Sequence, residues 1–550
     1  MKFTHSDLQS KIKEIFKGEI NFDEKTLDTY SRDASLLEVK PELVLFPQNT
    51  EDIKNLVKFV GENKKDNPNL SITARAAGTC MSGGSLSESI VMDMTKHFGG
   101  VLSVSSEEAV ALPGTFYRDF ETETLKHNAI LPSYTASKML NTVDGMVANN
   151  SAGEKTLAYG KTEKYVKEMK VIFADGNEYV TKPLNKEELE KKIAQGDYEG
   201  NIYKNLWNLI QENEQAIKYA KPDVSKNSAG YYLWNVWDGQ TFDINKLLTG
   251  SQGTLCVITE IKFKLVPVKK KSKLFVIFMR DLENLSELVN EILPFKPESL
   301  ESYDDSTMKL AIRFLPEMIK KMKVNHFVKL MFGFLPEVGM MLKGGIPKLI
   351  LLVEFGGDED AEIDKKMKEL YAKIHHFGFT MRMSRSEEES SKYWTIRRES
   401  FNLLRQHVKG ARTAPFIDDV VVKPEYLPKF LPKMRKILDD HKLVYTIAGH
   451  AGNGNFHIIP LMNMKDPKNA ELIPIVSDKI YSLVKEYRGS IDAEHNDGII
   501  RTPYLEQMFG NEIVGLFKKT KDIFDPQNIF NPGKKVGGTK EYMISHIVKN

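Results

Sequence analysis

Apolar residues recur along this chain in two periods, and the period changes at glycine-rich turns. Leu8, Ile12, Ile15 and Phe16 fall at helical spacing, so residues 1–36 are expected to hold a helix and a polar connector. Residues 41–47, Pro-Glu-Leu-Val-Leu-Phe-Pro, predict a short buried strand. Thr50 is the expected cap of the next helix, with Ile53, Leu56, Val57 and Val60 on one face. A strand over 71–74 runs into a glycine-rich loop, and strands, loops and short helices alternate from there to Pro267. The lysine run at 269–273 marks a domain joint and is otherwise expected to be a solvated surface. Beyond it, 274–279 and 348–355 predict strands, while 282–293 and 361–376 predict helices. Another helix is expected over 421–441, started by Pro424. The pattern is α+β, without internal repeats or low-complexity tracts.

Composition narrows the function class. At 550 residues the chain is too long for one ordinary core. A net charge of +2 gives no argument for nucleic acid. Cys80 and Cys256 are the only cysteines, which excludes a Cys-ligated iron–sulfur cluster or a CxxC zinc site within this chain. It also fits a reducing, cytoplasmic compartment. The first residues have no apolar core suited to a signal peptide. No apolar run is long enough to span a bilayer; the best, 349–353, is strand-like.

The chemistry-bearing residues concentrate near the C-terminus. Gly449-His450-Ala451-Gly452-Asn453-Gly454-Asn455-Phe456-His457 and Glu494-His495-Asn496-Asp497-Gly498 place three imidazoles and a carboxylate in glycine-rich turns. Two neutral imidazoles and a carboxylate make an open site for a divalent metal. His495, beside the carboxylate, can act as an acid or base at neutral pH. The seven-residue spacing with intervening glycines fits a turn entering a strand rather than a helix. Earlier in the chain, the loop 75–84 can form an anion nest with Arg75 adding charge, which suits a pyrophosphate. It is not GxGxxG, so a nicotinamide Rossmann site is disfavoured. Similar small, polar loops at 145–153 and 250–255 suggest an extended, buried dinucleotide.

In order, the chain carries Pro41, Val44 and Pro47, the Arg75 loop, Pro132-Ser133, Asn149-Asn150 and Gly250-Ser251. Then come Trp394-Thr395-Ile396-Arg397, the His450/His457 motif, Glu494-His495 and Asn531-Pro532-Gly533-Lys534. This order resembles the vanillyl-alcohol oxidase / p-cresol methylhydroxylase superfamily. The closer match is the branch of FAD-linked D-lactate dehydrogenases, glycolate oxidase flavoprotein subunits and D-2-hydroxyglutarate dehydrogenases. The resemblance implies a two-part FAD-binding domain over 37–268, after an N-terminal helical segment over 1–36. It implies an α+β substrate (cap) domain with an antiparallel sheet over 269–505, carrying the metal site, and a segment over 506–550 that packs back toward the flavin. FAD would be held by Arg75, Ala77, Gly78, Thr79, Met81, Ser82, Gly83 and Gly84. Further contacts would come from Pro132, Ser137, Thr142, Gly145, Asn149, Ala152, Gly250, Gly253, Thr254, Ile258 and Asn531. His450, His457 and Glu494 would bind the metal (zinc, manganese or ferrous iron), His495 would be the base, and Arg397 would hold a substrate carboxylate. Arg398 is an alternative clamp.

Relatives with covalent FAD usually carry His where this chain has Thr79, so non-covalent FAD is expected. Asp144 and Asn496 stand where many relatives have glycine, and Asn453 where many have Asp. The implied reaction oxidises a D-2-hydroxy acid, D-lactate or similar, to the 2-oxo acid by hydride transfer to flavin N5. D-2-hydroxyglutarate or glycolate dehydrogenase, an electron-transfer flavoprotein subunit, and a metal-dependent hydrolase are the competing functions. Reoxidation would need an external acceptor: quinone, an iron–sulfur subunit, a cytochrome or another flavoprotein. Some relatives carry a fused cluster domain, and this chain ends where that would begin. The basic, amphipathic stretch 307–350 raises peripheral contact with the inner face of the membrane, against an ordinary insertion.

Overall fold

Strands buried on both faces lose polar alternation, and the first sheet has that character. In the computed structural model, which describes residues 3–313, 339, 345–386, 389–398 and 410–549, four strands form it. Their order is Glu19–Asn21, Leu43–Phe46, Ile90–Asp93, Ile72–Arg75, the last three mutually parallel. The helix Thr50–Asn63 packs Ile53, Leu56, Val57 and Val60 against Leu43, Leu45, Ile72 and Ile90. Its cap is Asn49, one residue before the expected Thr50, because the Asn49 side chain is the one that accepts from the Asp52 N–H. Leu8 and Ile12 of the helix His5–Ile15 join the same core.

The second sheet is antiparallel, in the order Val101–Val104, Glu108–Ala111, Val257–Lys264, Val166–Ile172, Glu178–Thr181. Ile172 and Val257 belong to the core of the first sheet, so the two sheets meet over shared apolar residues. The third sheet has eight antiparallel strands. Lys271–Met279 and Leu349–Gly357 pair over nine residues, Ser299–Asp304 follows, and Val444–His450 and Asn455–Met462 lie beyond it. The helices Leu285–Ile292, Asp360–Ile374, Leu427–Asp440 and Pro467–Glu486 cover one face. Tyr303, Tyr393, Trp394 and Ile396 pack on the other.

Two further expectations change in detail. The lysine run is not only a solvated surface, since Lys271 begins the strand Lys271–Met279 and the Lys273 Nζ lies 2.6 Å from Asp364. Residues 421–441 contain a strand end and the 3-10 turn Pro424–Tyr426 before the helix begins at Leu427. Most of the basic stretch 307–350, from 314 to 338 and 340 to 344, lies outside the described residues. Among the described residues no helix is long and apolar enough to cross a membrane.

Candidate active site

His450 and His457 sit on a hairpin made by Val444–His450, the turn Ala451–Asn453 and Asn455–Met462. Gly454 has φ +70°, and a Cβ there would lie 1.8 Å from the Val422 carbonyl oxygen, so only glycine closes this turn. Across the ladder His457 opposes Ala448, two residues before His450, which puts both imidazoles on one face. Their rings are 5.3 Å apart, and His495 stacks on His457 at 5.1 Å.

All three Nε2 atoms face one oxygen, Glu494 Oε1: His450 and His457 at 3.3 Å, His495 at 3.9 Å. Each Nδ1 has a carboxylate behind it. Glu301 lies 2.5 Å from His450, and Asp418 lies 3.1 Å from His457 and 2.9 Å from His495. A carboxylate on Nδ1 fixes the tautomer and leaves the Nε2 lone pair facing inward, the usual backing of metal-binding histidines. Asp419 sets the backbone of the second segment, its Oδ2 accepting from the N–H groups of Ala493, Glu494 and His495 at 3.0, 2.6 and 2.7 Å. The fully buried Lys226 lies 2.9 Å from Glu494 Oε2, so the other oxygen, Oε1, is the one turned to the histidines.

These charges shift one another. Burial alone would lower the His457 pKa, but Asp418 and Glu494 outweigh it and raise it to about 10. His495 is raised for the same reason, Asp419 and Asp418 overcoming burial. Burial would push Asp418 and Glu494 up, yet the imidazoles, and for Glu494 also Lys226, hold both well below the usual carboxylate range. The cluster therefore attracts positive charge strongly, and its N/O donor set fits zinc, manganese or ferrous iron.

Arg397 lies against this cluster, paired through Nη2 with Glu301, the carboxylate behind His450. Its Nε is buried without a partner among the described residues, which leaves donors to spend on a ligand. Arg398 is committed elsewhere, its Nε donating to Glu154 at 2.8 Å.

A channel lies between the glycine-rich loops, and the carbonyl oxygen of its wall residue Asn149 accepts from Asn496, two residues after Glu494. Ala77, Gly78, Thr79, Gly84, Thr142, Gly145, Asn149, Gly253 and Ile258 line it, as a bound dinucleotide requires. Gly78 has φ +66°, and the N–H groups of Ala77, Gly78 and Thr79 find no acceptor among the described residues, leaving an open anion nest. The loop abuts the segment that follows Glu494-His495, because the Ile499 N–H donates to the Ser82 carbonyl oxygen.

Other expected contacts serve the walls. The Arg75 guanidinium donates to the carbonyl oxygens of Tyr30 and Arg32 at 3.0 and 2.7 Å, tying the N-terminal segment to the loop. Asn531 donates to the carbonyl oxygens of Gly84 and Gln252, joining two loops. Thr254 is fully buried and bonds Tyr231 at 2.6 Å. The Gly250 carbonyl oxygen accepts from Asn496 at 2.9 Å. Ser137 pairs with Thr135 at 2.8 Å. Gly83 packs against Leu37, and Ala152 and Pro132 are buried; with Met81 they do not border the channel.

Glu301, Asp418, Asp419 and Lys226 escaped the sequence reading. Only the Asp418-Asp419 pair carried a signal there, two adjacent acids inside the apolar run Phe416-Ile417 and Val420-Val421-Val422.

Comparison with known proteins agrees with this architecture. Residues 41–182 match the family described as FAD binding domain, and residues 268–535 the family described as FAD linked oxidases, C-terminal domain. Between them the two matches cover most of the chain, which belongs to these FAD-linked oxidases, and its fold is shared with p-cresol methylhydroxylase, at a TM-score of 0.64 and 13% identity. It is 28% identical over 529 residues to a D-2-hydroxyglutarate dehydrogenase of Pseudomonas putida, covering 94% of this chain and 50% of that protein. It is 23% identical to a D-lactate dehydrogenase of Anaerostipes hadrus, covering 96% of this chain and 97% of the relative. The 4-ethylphenol oxidase of Gulosibacter chungangensis, solved with isoeugenol, superimposes with a TM-score of 0.69 at 16% identity over 98% of both chains. The chain thus spans about half the length of the curated D-2-hydroxyglutarate dehydrogenases it matches.

Proposed function

We propose that the chain is an FAD-dependent dehydrogenase of a short D-2-hydroxy monocarboxylic acid such as D-lactate. The observation that carries this is the convergence of three imidazoles and Glu494 in a segment that touches, through Asn496, a channel walled by glycine-rich loops. His450, His457 and Glu494 would hold a divalent ion that polarises the substrate hydroxyl, and the loops would hold FAD, whose N5 takes the hydride. Arg397 binds the substrate carboxylate with the donors Glu301 leaves free, fixing the carbinol carbon. His495 takes the hydroxyl proton at Nε2, with Asp418 holding its Nδ1. Thr79 at the usual attachment position supports non-covalent FAD, and an external acceptor would reoxidise it.

Ile458 and Ile459, which follow His457, offer no partner for a second carboxylate. That favours a monocarboxylate. The similarity to D-2-hydroxyglutarate dehydrogenases favours the longer diacid as the second reading. Anaerobic flavin bleaching over a substrate panel decides between them: D-lactate should reduce the flavin fastest, and faster reduction by D-2-hydroxyglutarate reverses the assignment. His457→Ala and Glu494→Ala should each lose bound metal and turnover while keeping FAD; variants that lose FAD would mean the cluster is structural. His495→Asn should slow flavin reduction by about 10²–10⁴ with little change in substrate affinity.

A further inference from the structure

Asp144 stands on the first turn of the helix Val143–Asn149, where Thr142 and Gly145 also border the channel. Its side chain is 8% exposed and has no hydrogen-bond or ion-pair partner among the described residues. Burial alone raises its carboxyl to about 7. The neighbour that feels its charge is Cys256, also on the channel wall, whose thiol is a weak donor. A buried carboxyl without donors costs free energy unless a ligand supplies them.

The helix gives the channel a direction. At its far end the Asn149 carbonyl oxygen accepts from Asn496 at 3.1 Å, beside the metal cluster. Asp144 lies five residues back, about 7.5 Å along the axis. Gly145 there faces Ala76, at the edge of the anion nest. If FAD fills the channel with its ring toward the substrate, the groups near Asp144 flank the pyrophosphate. On either side of a pyrophosphate FAD carries hydroxyls, the ribityl chain toward the flavin and the ribose diol toward the adenine.

We propose that Asp144 is a cofactor-binding residue whose carboxylate oxygens accept hydrogen bonds from sugar hydroxyls of FAD, of the ribose or the ribityl chain. This rests on the proposed FAD dehydrogenase function. A glycine at this position, as in many relatives, could not make the contact, so the residue would be a device of this chain.

The test strips the holoenzyme of flavin and measures FAD affinity by fluorescence quenching. Asp144→Gly, Asp144→Ala and Asp144→Asn are compared with the unaltered protein, with circular dichroism confirming the fold of each. Losing hydrogen bonds to a carboxylate should raise the FAD Kd about 10- to 100-fold in the Gly and Ala variants. Competition then names the hydroxyls. A matching loss in ADP affinity assigns the ribose, and a matching loss in FMN affinity assigns the ribityl chain. A Kd that is unchanged or lower in folded Gly and Ala variants overturns the proposal. Failure of the unaltered protein to bind FAD would instead refute the dehydrogenase function.

Discussion

Asp144 also has a consequence for the apoprotein. Its folded-state pKa of about 7 lies above the ordinary 3.8. Between those values the folded chain binds more protons than the unfolded one, so stability falls as pH rises through the window, and the full penalty applies above pH 7. The shift corresponds to an upper bound on the order of 4 kcal/mol. Asp144→Asn removes the ionisation. The flavin-free variant should therefore melt at a higher temperature than the unaltered protein at pH 8, and the gap should shrink by pH 5. Thermal unfolding at the two pH values measures this, and an equal gap at both would show that the folded carboxyl is not raised because it finds a donor. Burial of such a residue could not be read from the sequence. Its neighbours Thr142 and Gly145 are small, and nothing local marks Asp144 as the one acid of a channel wall.

At the scale of elements, legibility followed sequence distance. His450 and His457 are neighbours across one hairpin, so their spacing and glycines announced a turn entering a strand. The buried helix Thr50–Asn63 was legible from its apolar period. The carboxylates behind the imidazoles were not, because Glu301 reaches His450 across 149 residues and Asp418 reaches His457 across 39. Lys226 meets Glu494 across 268. Only pairing of distant strands and loops brings such groups together, and no local pattern encodes it. The hairpin itself makes a sharp prediction. Gly454→Ala places a Cβ against the Val422 carbonyl oxygen at positive φ, so the turn must open. Metal content should fall at least several-fold while FAD stays bound, because the flavin loops belong to other sheets. Metal analysis and the flavin absorbance of the purified variant report both quantities, and full metal loading would mean the turn yields without moving the histidines.

Across the whole molecule, the C-terminal residues tie the channel to the histidine cluster. Asn531 bonds Thr73, Gly84 and Gln252, linking the first sheet to two channel loops. The Glu38 N–H donates to the His546 carbonyl oxygen and Leu37 pairs with Ile547, which joins the C-terminal residues to the segment whose Tyr30 and Arg32 carbonyl oxygens hold Arg75. Lys535 is completely buried, its Nζ 2.9 Å from Asp497 and donating to the carbonyl oxygens of Ser228 and Gly230. Asp497 follows the Glu494-His495 segment by two residues, and Ser228 follows Lys226, so this one ammonium joins the tail to both sides of the site. Removing one partner of a buried pair leaves an uncompensated charge and costs about 3–5 kcal/mol, whereas removing both costs less. Lys535→Met should therefore lower the unfolding midpoint markedly, and adding Asp497→Asn should recover part of the loss. The recovery should stay incomplete, since the Ser228 and Gly230 carbonyl oxygens lose their donor in both variants. Thermal melts of the two single variants and the double variant give the coupling directly. Additive losses would mean that Asp497 draws its stability from the Gly230 N–H, which donates to it at 2.9 Å, rather than from the lysine.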